Sequence, residues 1–407
     1  MSRAVSLALF IAIALSILFG LHLFLWARLV RDPGWPRPWG AVLTAALALG
    51  AVSIPVSLFL GRASAPGSHP WLTWTGSVWL GLLFLLFVSL LGGDLLGVGG
   101  RLISKTAEAV GATSVEAVAA HRPAPADHDR RRFFARVIAG AAALLASGFG
   151  VAGLRSALGP VRVKRLEVHL PRLGGDLDGL TIVQLSDLHV GPTIGRQQIE
   201  DIVRRSNALS PDVVAITGDL VDGSVAELWG AVSPLGGLVA KLGVFFVTGN
   251  HEYYSGAAEW VEALPGLGVR VLRNERVELS RGASVLELGG VDDRSAARSG
   301  TPGHGEDLEK ALAGWDRRRP LVLLAHQPRT VLDAARLGVD LQLSGHTHGG
   351  QIWPFGSLVR LQQRFLAGLG RHRGTLIYVS RGTGYWGPPM RLGAPSEITE
   401  LVLRAGV

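Results

Sequence analysis

Four stretches of this chain contain no Lys, Arg, Asp or Glu: Ala4–Ala27, Trp39–Leu60, Trp71–Gly93 and Val137–Leu154. Crossing the hydrocarbon core of a bilayer takes about 20 apolar residues, with about 17 as the lower limit, so each stretch is long enough for a transmembrane helix. The fourth, rich in Gly and Ala, clears the limit by least. Trp26, Trp39 and Trp71 stand at segment ends, where an amphipathic ring favours the headgroup zone. The expectation is an all-α membrane region over residues 1–157, with helices at 4–27, 39–60, 71–93 and 134–154, followed by a folded domain over 158–407. His22, inside the first span, reads as a helix-packing residue rather than a ligand.

Charge agrees with that division. The net charge is +8, but residues 1–157 hold 13 Lys/Arg against 6 Asp/Glu, whereas the remainder holds 27 against 26. A nucleic-acid module carries its basic excess on the folded domain, so no nucleic-acid partner is expected; here the excess flanks apolar segments. Positive loops stay cytoplasmic. Arg28, Arg31 and Arg37 follow the first span, only Arg62 follows the second, and Arg101, Lys105, Arg122, Arg130, Arg131, Arg132 and Arg136 precede the fourth. The first and third loops are therefore expected inside and the folded domain outside, at the outer face of a cell membrane. A fourth segment lying on the surface would reverse this. Arg130-Arg131-Arg132-Phe133-Phe134 reads equally as a basic anchor or as a twin-arginine export signal. Lys105–Asp129 reads as a short helix and linker.

From about Val161 short β-branched runs alternate with amphipathic ones. Strands are expected at Val161–His169, Thr181–Ser186, Asp212–Thr217, Val244–Thr248, Val269–Leu272, Ser284–Leu288, Leu321–Ala325, Leu341–Ser344, Thr375–Ser380 and Ile398–Arg404, and helices at Gly195–Leu209, Val225–Leu242, Ala257–Leu264, Glu306–Ala313 and Thr330–Leu337. Such alternation gives an α/β layered domain, in which ligands collect beyond the carboxyl ends of the strands.

Five of those ends carry Asp187-Leu188-His189, Gly218-Asp219, Gly249-Asn250-His251-Glu252, His326, and Gly345-His346-Thr347-His348-Gly349-Gly350. The chain has no cysteine, which excludes thiolate sites, disulfides and cysteine nucleophiles. Oxygen and imidazole donors suit Mn, Fe or Zn. Asp187, His189, Asp219, Asn250, His326, His346 and His348 are too many for one ion of about four to six donors and suit two. The X-x-X spacings of Asp187/His189 and His346/His348 fit alternate side chains of an extended segment. Two cations about 3.5–4 Å apart clamp an in-line phosphoryl displacement and supply hydroxide near neutral pH. Asp292 and Asp293 read as a charged turn ahead of a supporting role at the site.

Taken together, the motifs resemble the calcineurin-like metallophosphoesterase superfamily over roughly Leu166–Leu403. The resemblance implies a four-layer αββα double-sheet sandwich with a dinuclear centre at one edge. It implies that Asp187, His189 and His348 hold one metal, that Asn250, His326 and His346 hold the other, and that Asp219 bridges. His251 would protonate the leaving alkoxide or contact the phosphate, with Glu252 orienting it; Asp219 and His251 are the catalytic pair. Gln351-Ile352-Trp353-Pro354 and the Met390–Ile398 tail are similar to a membrane-associated bacterial branch. The expected activity is metal-dependent hydrolysis of phosphoric mono- or diesters, with a lipid-linked or cell-envelope substrate favoured by the anchor and membrane lipids as partners. The alternatives are a non-catalytic metal-binding receptor or scaffold, and a transporter with a regulatory phosphatase-like domain, against which the lack of an intramembrane ion pair speaks.

Overall fold

The structure, a computed structural model, describes residues 3–63, 70–111 and 128–406. The chain folds as two compact units, Met1–Ala152 and Gly153–Val407. In the first, α1 (Arg3–Trp26), α2 (Trp39–Ala63), α3 (Pro70–Gly111) and the start of α4 (His128–Leu158) are helical. Four spans are long and apolar enough to cross a membrane: Ala8–Arg31, which continues from α1 through a π-helical turn at Ala27–Arg31, Trp39–Phe59, Pro70–Gly97 and all of α4, His128–Leu158. Leu25, Leu47, Ile54, Leu83, Leu90 and Ala142 form the interior of this unit, while Phe10, Leu49, Leu96 and Leu144 face outward. That inverts the soluble pattern and suits helices solvated by lipid.

The third span runs past the expected end at residue 93. Asp94 does not stop it, because Arg28 pairs with the carboxylate, and an ion pair removes most of the penalty an isolated charge carries beside apolar surface. Both residues fall within the apolar spans, so the expected lack of an ion pair there does not hold. Lys105 lies on this same helix; residues 112–127 of the expected linker lie outside the described residues. His22 packs as expected: its Nδ1–H donates to Leu18 O at 2.8 Å, and Trp79 Nε1 donates to its Nε2 at 3.0 Å.

The second unit is built on twelve strands: β1 (Arg162–Leu170), β2 (Thr181–Leu185), β3 (Val213–Ile216), β4 (Val244–Phe246), β5 (Val269–Val271), β6 (Glu275–Arg281), β7 (Ser284–Gly290), β8 (Leu321–Leu324), β9 (Leu341–Ser344), β10 (Gly368–His372), β11 (Thr375–Val379) and β12 (Glu397–Ala405). They form two six-stranded sheets, β1-β12-β2-β3-β4-β5 and β10-β11-β9-β8-β7-β6. Strands β2 to β5 are mutually parallel, as are β7, β8, β9 and β11.

Strand alternation makes the layers. Ile182, Val213, Ala215 and Phe245 point from the first sheet into a core shared with Leu286, Leu288, Val322, Leu324, Leu341 and Leu343 of the second. Val183, Leu185, Val214, Ile216, Val244 and Phe246 point the other way and pack under α5 (Arg196–Asn207), α6 (Val225–Val232) and Trp260. Leu321 and Leu323 meet Leu308, Leu312 and Trp315 on the outer face of the second sheet. Both faces of each sheet are covered, so the strands read as continuous apolar runs, and the expected αββα sandwich is present.

Three departures have local causes. β6 and β10 were not expected; both are sheet edges, and neither forms an apolar run, since β6 alternates buried Val277 and Leu279 with Glu, Ser and Arg and β10 is Gly-Leu-Gly-Arg-His. Helix α6 ends at Val232 rather than Leu242, where Pro234 withdraws a backbone donor and Gly236-Gly237 follow. The residues Asn250–Ser255, for which no helix was expected, form a helical turn begun at Gly249.

Candidate metal centre

The expected donors leave the carboxyl ends of five strands, three mutually parallel in the first sheet and two in the second. β2 delivers Asp187 and His189, β3 delivers Asp219, β4 delivers Asn250, β8 delivers His326, and β9 delivers His346 and His348. They do not converge by extended alternation. Asp187, His189, Asp219, His346 and His348 have φ of 52°, 49°, 52°, 71° and 51°, a left-handed conformation costly for any residue with a Cβ. Each chain turns sharply as it leaves its strand, and that turn aims the side chain back over the sheet edge. Gly218 takes φ +88°, and a Cβ there would come within 2.7 Å of both Gly249 N and His326 Nδ1, so only glycine fits between the two loops.

The side chains form two clusters whose donor atoms lie mutually within 4.8 Å: Asp187, His189 and His348, and Asp219, His326 and His346. In the first, His189 Nε2 and His348 Nε2 face each other at 3.0 Å, and Asp187 Oδ1 is 3.5 Å from His348 Nε2. In the second, Asn250 Oδ1 lies 2.9 Å from His346 Nδ1 and 3.2 Å from His326 Nε2. Asp219 Oδ2 belongs to both, 3.1 Å from His326 Nε2 and 3.8 Å from His189 Nε2. All seven expected donors therefore meet at one rim.

Sequence reasoning missed the residues that aim them. Asp222 Oδ1 takes His189 Nδ1 at 3.0 Å and His251 Nδ1 at 2.6 Å, so one carboxylate orients two imidazoles. Its spacing from Asp219 meant nothing until the bridge between Val190 and Val221 set the two loops side by side. Glu252 does not orient His251. It is buried, and it accepts N–H bonds from Gly249, Asp219, Leu220 and Val221 at 2.6–3.3 Å, stapling two site loops through their backbones. Arg391 is buried without a carboxylate contact among the described residues; it donates to the carbonyls of His348, Arg381, Gly384 and Ala394, and its Nη2 stands 3.2 Å from His348 Nδ1. Asp292 and Asp293 are not an exposed turn. Asp292 is bidentate to Arg273, and Asp293 accepts from Ser295 N and Gln327 Nε2 beneath the site.

The electrostatics follow these contacts. Burial pushes Asp219 up, but His326 outweighs it and the carboxyl sits well below its usual range. The converse holds for His326, raised by Asp219 against burial. Burial together with His189 and Arg391 holds His348 well below an ordinary histidine. His251 goes the other way: burial opposes its charge, but Asp222 and Asp219 push it up to about 9. Burial and Asp219 raise Glu252 to about 7 against its backbone donors.

Do these residues fit divalent cations? Asp187 Oδ2 is buried with no hydrogen-bond partner among the described residues. His189 and His326 spend Nδ1 on Asp222 and on the Thr217 carbonyl (2.8 Å), which leaves Nε2 of each turned inward as a lone pair. Lone pairs and carboxylate oxygens aimed at one another across about 3 Å repel unless a cation or proton lies between them. The donor set fits.

The chain matches the calcineurin-like phosphoesterase family over residues 180–350. It is 38% identical over 401 residues to a transmembrane protein with metallophosphoesterase domain from Danio rerio, covering 94% of this chain and 86% of that one. A protein of the same description from Bos taurus is 46% identical over 274 residues, covering 65% of this chain and 62% of its own. A metallophosphoesterase of Helicobacter pylori is 40% identical over 258 residues, covering 63% and 67%.

Proposed function

The chain belongs to the calcineurin-like phosphoesterases and is a metal-dependent phosphoesterase; from that premise we propose that it is a membrane-tethered hydrolase working through two divalent ions. Asp187, His189 and His348 would hold one ion and Asn250, His326 and His346 the other, with Asp219 placed between the two sets. The observation that carries this reading is the single Asp219 oxygen within 4 Å of an imidazole nitrogen from each cluster. The chemistry such ions, Mn, Fe or Zn, would supply when bound is polarisation of phosphoryl oxygens and activation of water near neutral pH.

The chain's own residues supply the rest. Asp222 fixes the His251 ring through Nδ1, which leaves Nε2 to carry a proton to the departing alkoxide oxygen. Tyr254 and Trp386 meet that ring edge-on at 5.3 and 5.5 Å, restricting its tilt and limiting water around it. Glu252 keeps the loops that present Asp219 and Asn250 in register. No serine or cysteine nucleophile is required.

Membrane tethering is supported by four apolar spans, and residues 1–157 and 158–407 are the corresponding anchor and hydrolase regions. Only three residues separate α4 from β1, so the hydrolase stays within reach of the bilayer, which favours a lipid-linked or envelope phosphoester. The arginine-rich first and third loops favour an outward-facing hydrolase.

Hydrolysis of bis-p-nitrophenyl phosphate by the full chain with Mn added, set against Asp219→Ala and His251→Ala, tests the chemistry. Equal background rates in all three would make the protein a metal-binding scaffold. Turnover of soluble nucleotides with none of lipid-linked phosphates would remove the substrate reading. Since the chain has no cysteine, labelling of Ala297→Cys by an impermeant maleimide in right-side-out vesicles checks orientation; protection there would place the hydrolase inside.

A further inference from the structure

Between Asp340 and Glu397 the chain has no acidic residue, yet it carries six arginines; outside this stretch residues 158–407 hold 21 Lys/Arg against 26 Asp/Glu. Arg360, Arg364, Arg371 and Arg373 are exposed and make no ion pair among the described residues. The same stretch concentrates exposed apolar side chains. Of the ten large hydrophobic residues exposed after Gly159 among the described residues, six lie between Trp353 and Trp386. Trp353 is 62% exposed, Leu358 58%, Leu361 82% and Trp386 54%. The Gly356–Gln362 helix, Gly-Ser-Leu-Val-Arg-Leu-Gln, buries none of its residues.

This helix is held out from firm anchors. Phe365 packs with Val331, Ile377 and Val379, and Thr347 Oγ1 donates to Leu366 O. At the other end Gln351 exchanges two hydrogen bonds with the Trp386 backbone. The edge is also continuous with the metal centre. Trp386 touches His251, and a cavity of about 500 Å³ running from His346 is lined by Arg329, Leu361, Arg364 and Phe365.

A water-facing surface loses free energy by exposing Leu and Trp together, and a protein-facing one seldom surrounds them with unpaired arginines of one sign. Apolar side chains beside arginines are the composition of an interfacial segment seated at the headgroups of an anionic leaflet. We propose that the Trp353–Trp386 edge docks on anionic headgroups in the leaflet facing the hydrolase, in the bilayer the chain itself spans, so that the mouth of the metal centre opens at the lipid headgroups. This rests on the tethered reading above. The occupant is a lipid surface, and docking would present a headgroup phosphoester to the centre without the lipid leaving its leaflet.

The absence of native cysteine gives a clean test. Full-length protein carrying an environment-sensitive fluorophore at Leu361→Cys, Leu358→Cys or, as control, Arg204→Cys on α5 is placed in nanodiscs of phosphatidylcholine with or without phosphatidylglycerol. The two leucine probes are expected to shift to the blue and to be quenched by lipids spin-labelled near the headgroup, more strongly in the anionic discs, while the α5 probe stays wet. Arg360→Gln and Arg364→Gln should each lower the docked-to-undocked ratio about fivefold in anionic discs. Leucine probes as wet in anionic discs as in detergent overturn the proposal. So does quenching that ignores lipid charge and grows with two chains per disc, which would make a second copy the occupant. A chain that never enters the discs overturns the tethered reading and this inference with it; one that enters with wet probes overturns the inference alone.

Discussion

The two halves of the metal centre are built from similar donors but held by different means. In the Asp187–His189–His348 cluster, charged side chains from outside the motifs do the aiming: Asp222 on His189 and Arg391 beside His348. In the Asp219–His326–His346 cluster the aiming is by backbone and amide. The Thr217 carbonyl takes His326 Nδ1, and Asn250 stands between the two imidazoles. The first half also carries a carboxylate of its own, whereas the second has a neutral amide and shares Asp219. On the proposed two-ion reading, the difference implies that the first half would bind its cation more tightly and be tuned by remote side chains, and that the second would be set by loop backbone and yield only when a loop is forced.

The sharpest way to break the comparison is at the shared atom. Asp219→Asn should cost more than about a hundredfold in turnover and lower bound metal in both halves; metal analysis showing one half still full would mean that Asp219 is not common to them. Asp222→Asn should act on the first half and on His251 together. Its expected loss is about 10- to 100-fold in activity, with weakened metal retention in one of two sites by titration. Loss from both sites would erase the distinction.

Arg391→Met leaves the Arg381 and Ala394 carbonyls without their donor, while His348 O keeps Gln351 N and Gly384 O keeps Ser396 Oγ. Denaturation should reveal a loss of about 1–3 kcal/mol; an unchanged unfolding midpoint would show that the arginine is dispensable to the loop. Gly218→Ala probes the second half. Forcing a Cβ at positive φ between Gly249 and His326 should destabilise by about 1–3 kcal/mol, with metal loss beginning at the His326 side. Normal stability in that variant would show that the loops can part.

Much of this was legible beforehand. The ends of β2, β3, β4, β8 and β9 announced themselves because apolar runs covered on both faces stop abruptly at Asp, His, Asn and Gly. The edges β6 and β10 were hidden, since an edge strand keeps water on its flank and needs no apolar run. Asp94 hid the length of α3, because its arginine partner lies 66 residues earlier. Glu252 was given the wrong task for a related reason: nearness to His251 in sequence says nothing about where a carboxylate points once the chain begins a helical turn.

The order of amino acids fixed which atoms are available: four lipid-length apolar runs, seven oxygen and nitrogen donors after strands, and an acid-free arginine stretch. Those are properties of local composition and spacing, and they persist whatever the chain does next. Only the folded chain decided that five donors turn through left-handed backbone, that Asp222 reaches two histidines, and that Arg391 closes four carbonyls from 43 residues beyond His348. Such choices depend on loops meeting across two sheets, and their conformational cost is met by packing and hydrogen bonds that come together only when the whole unit folds.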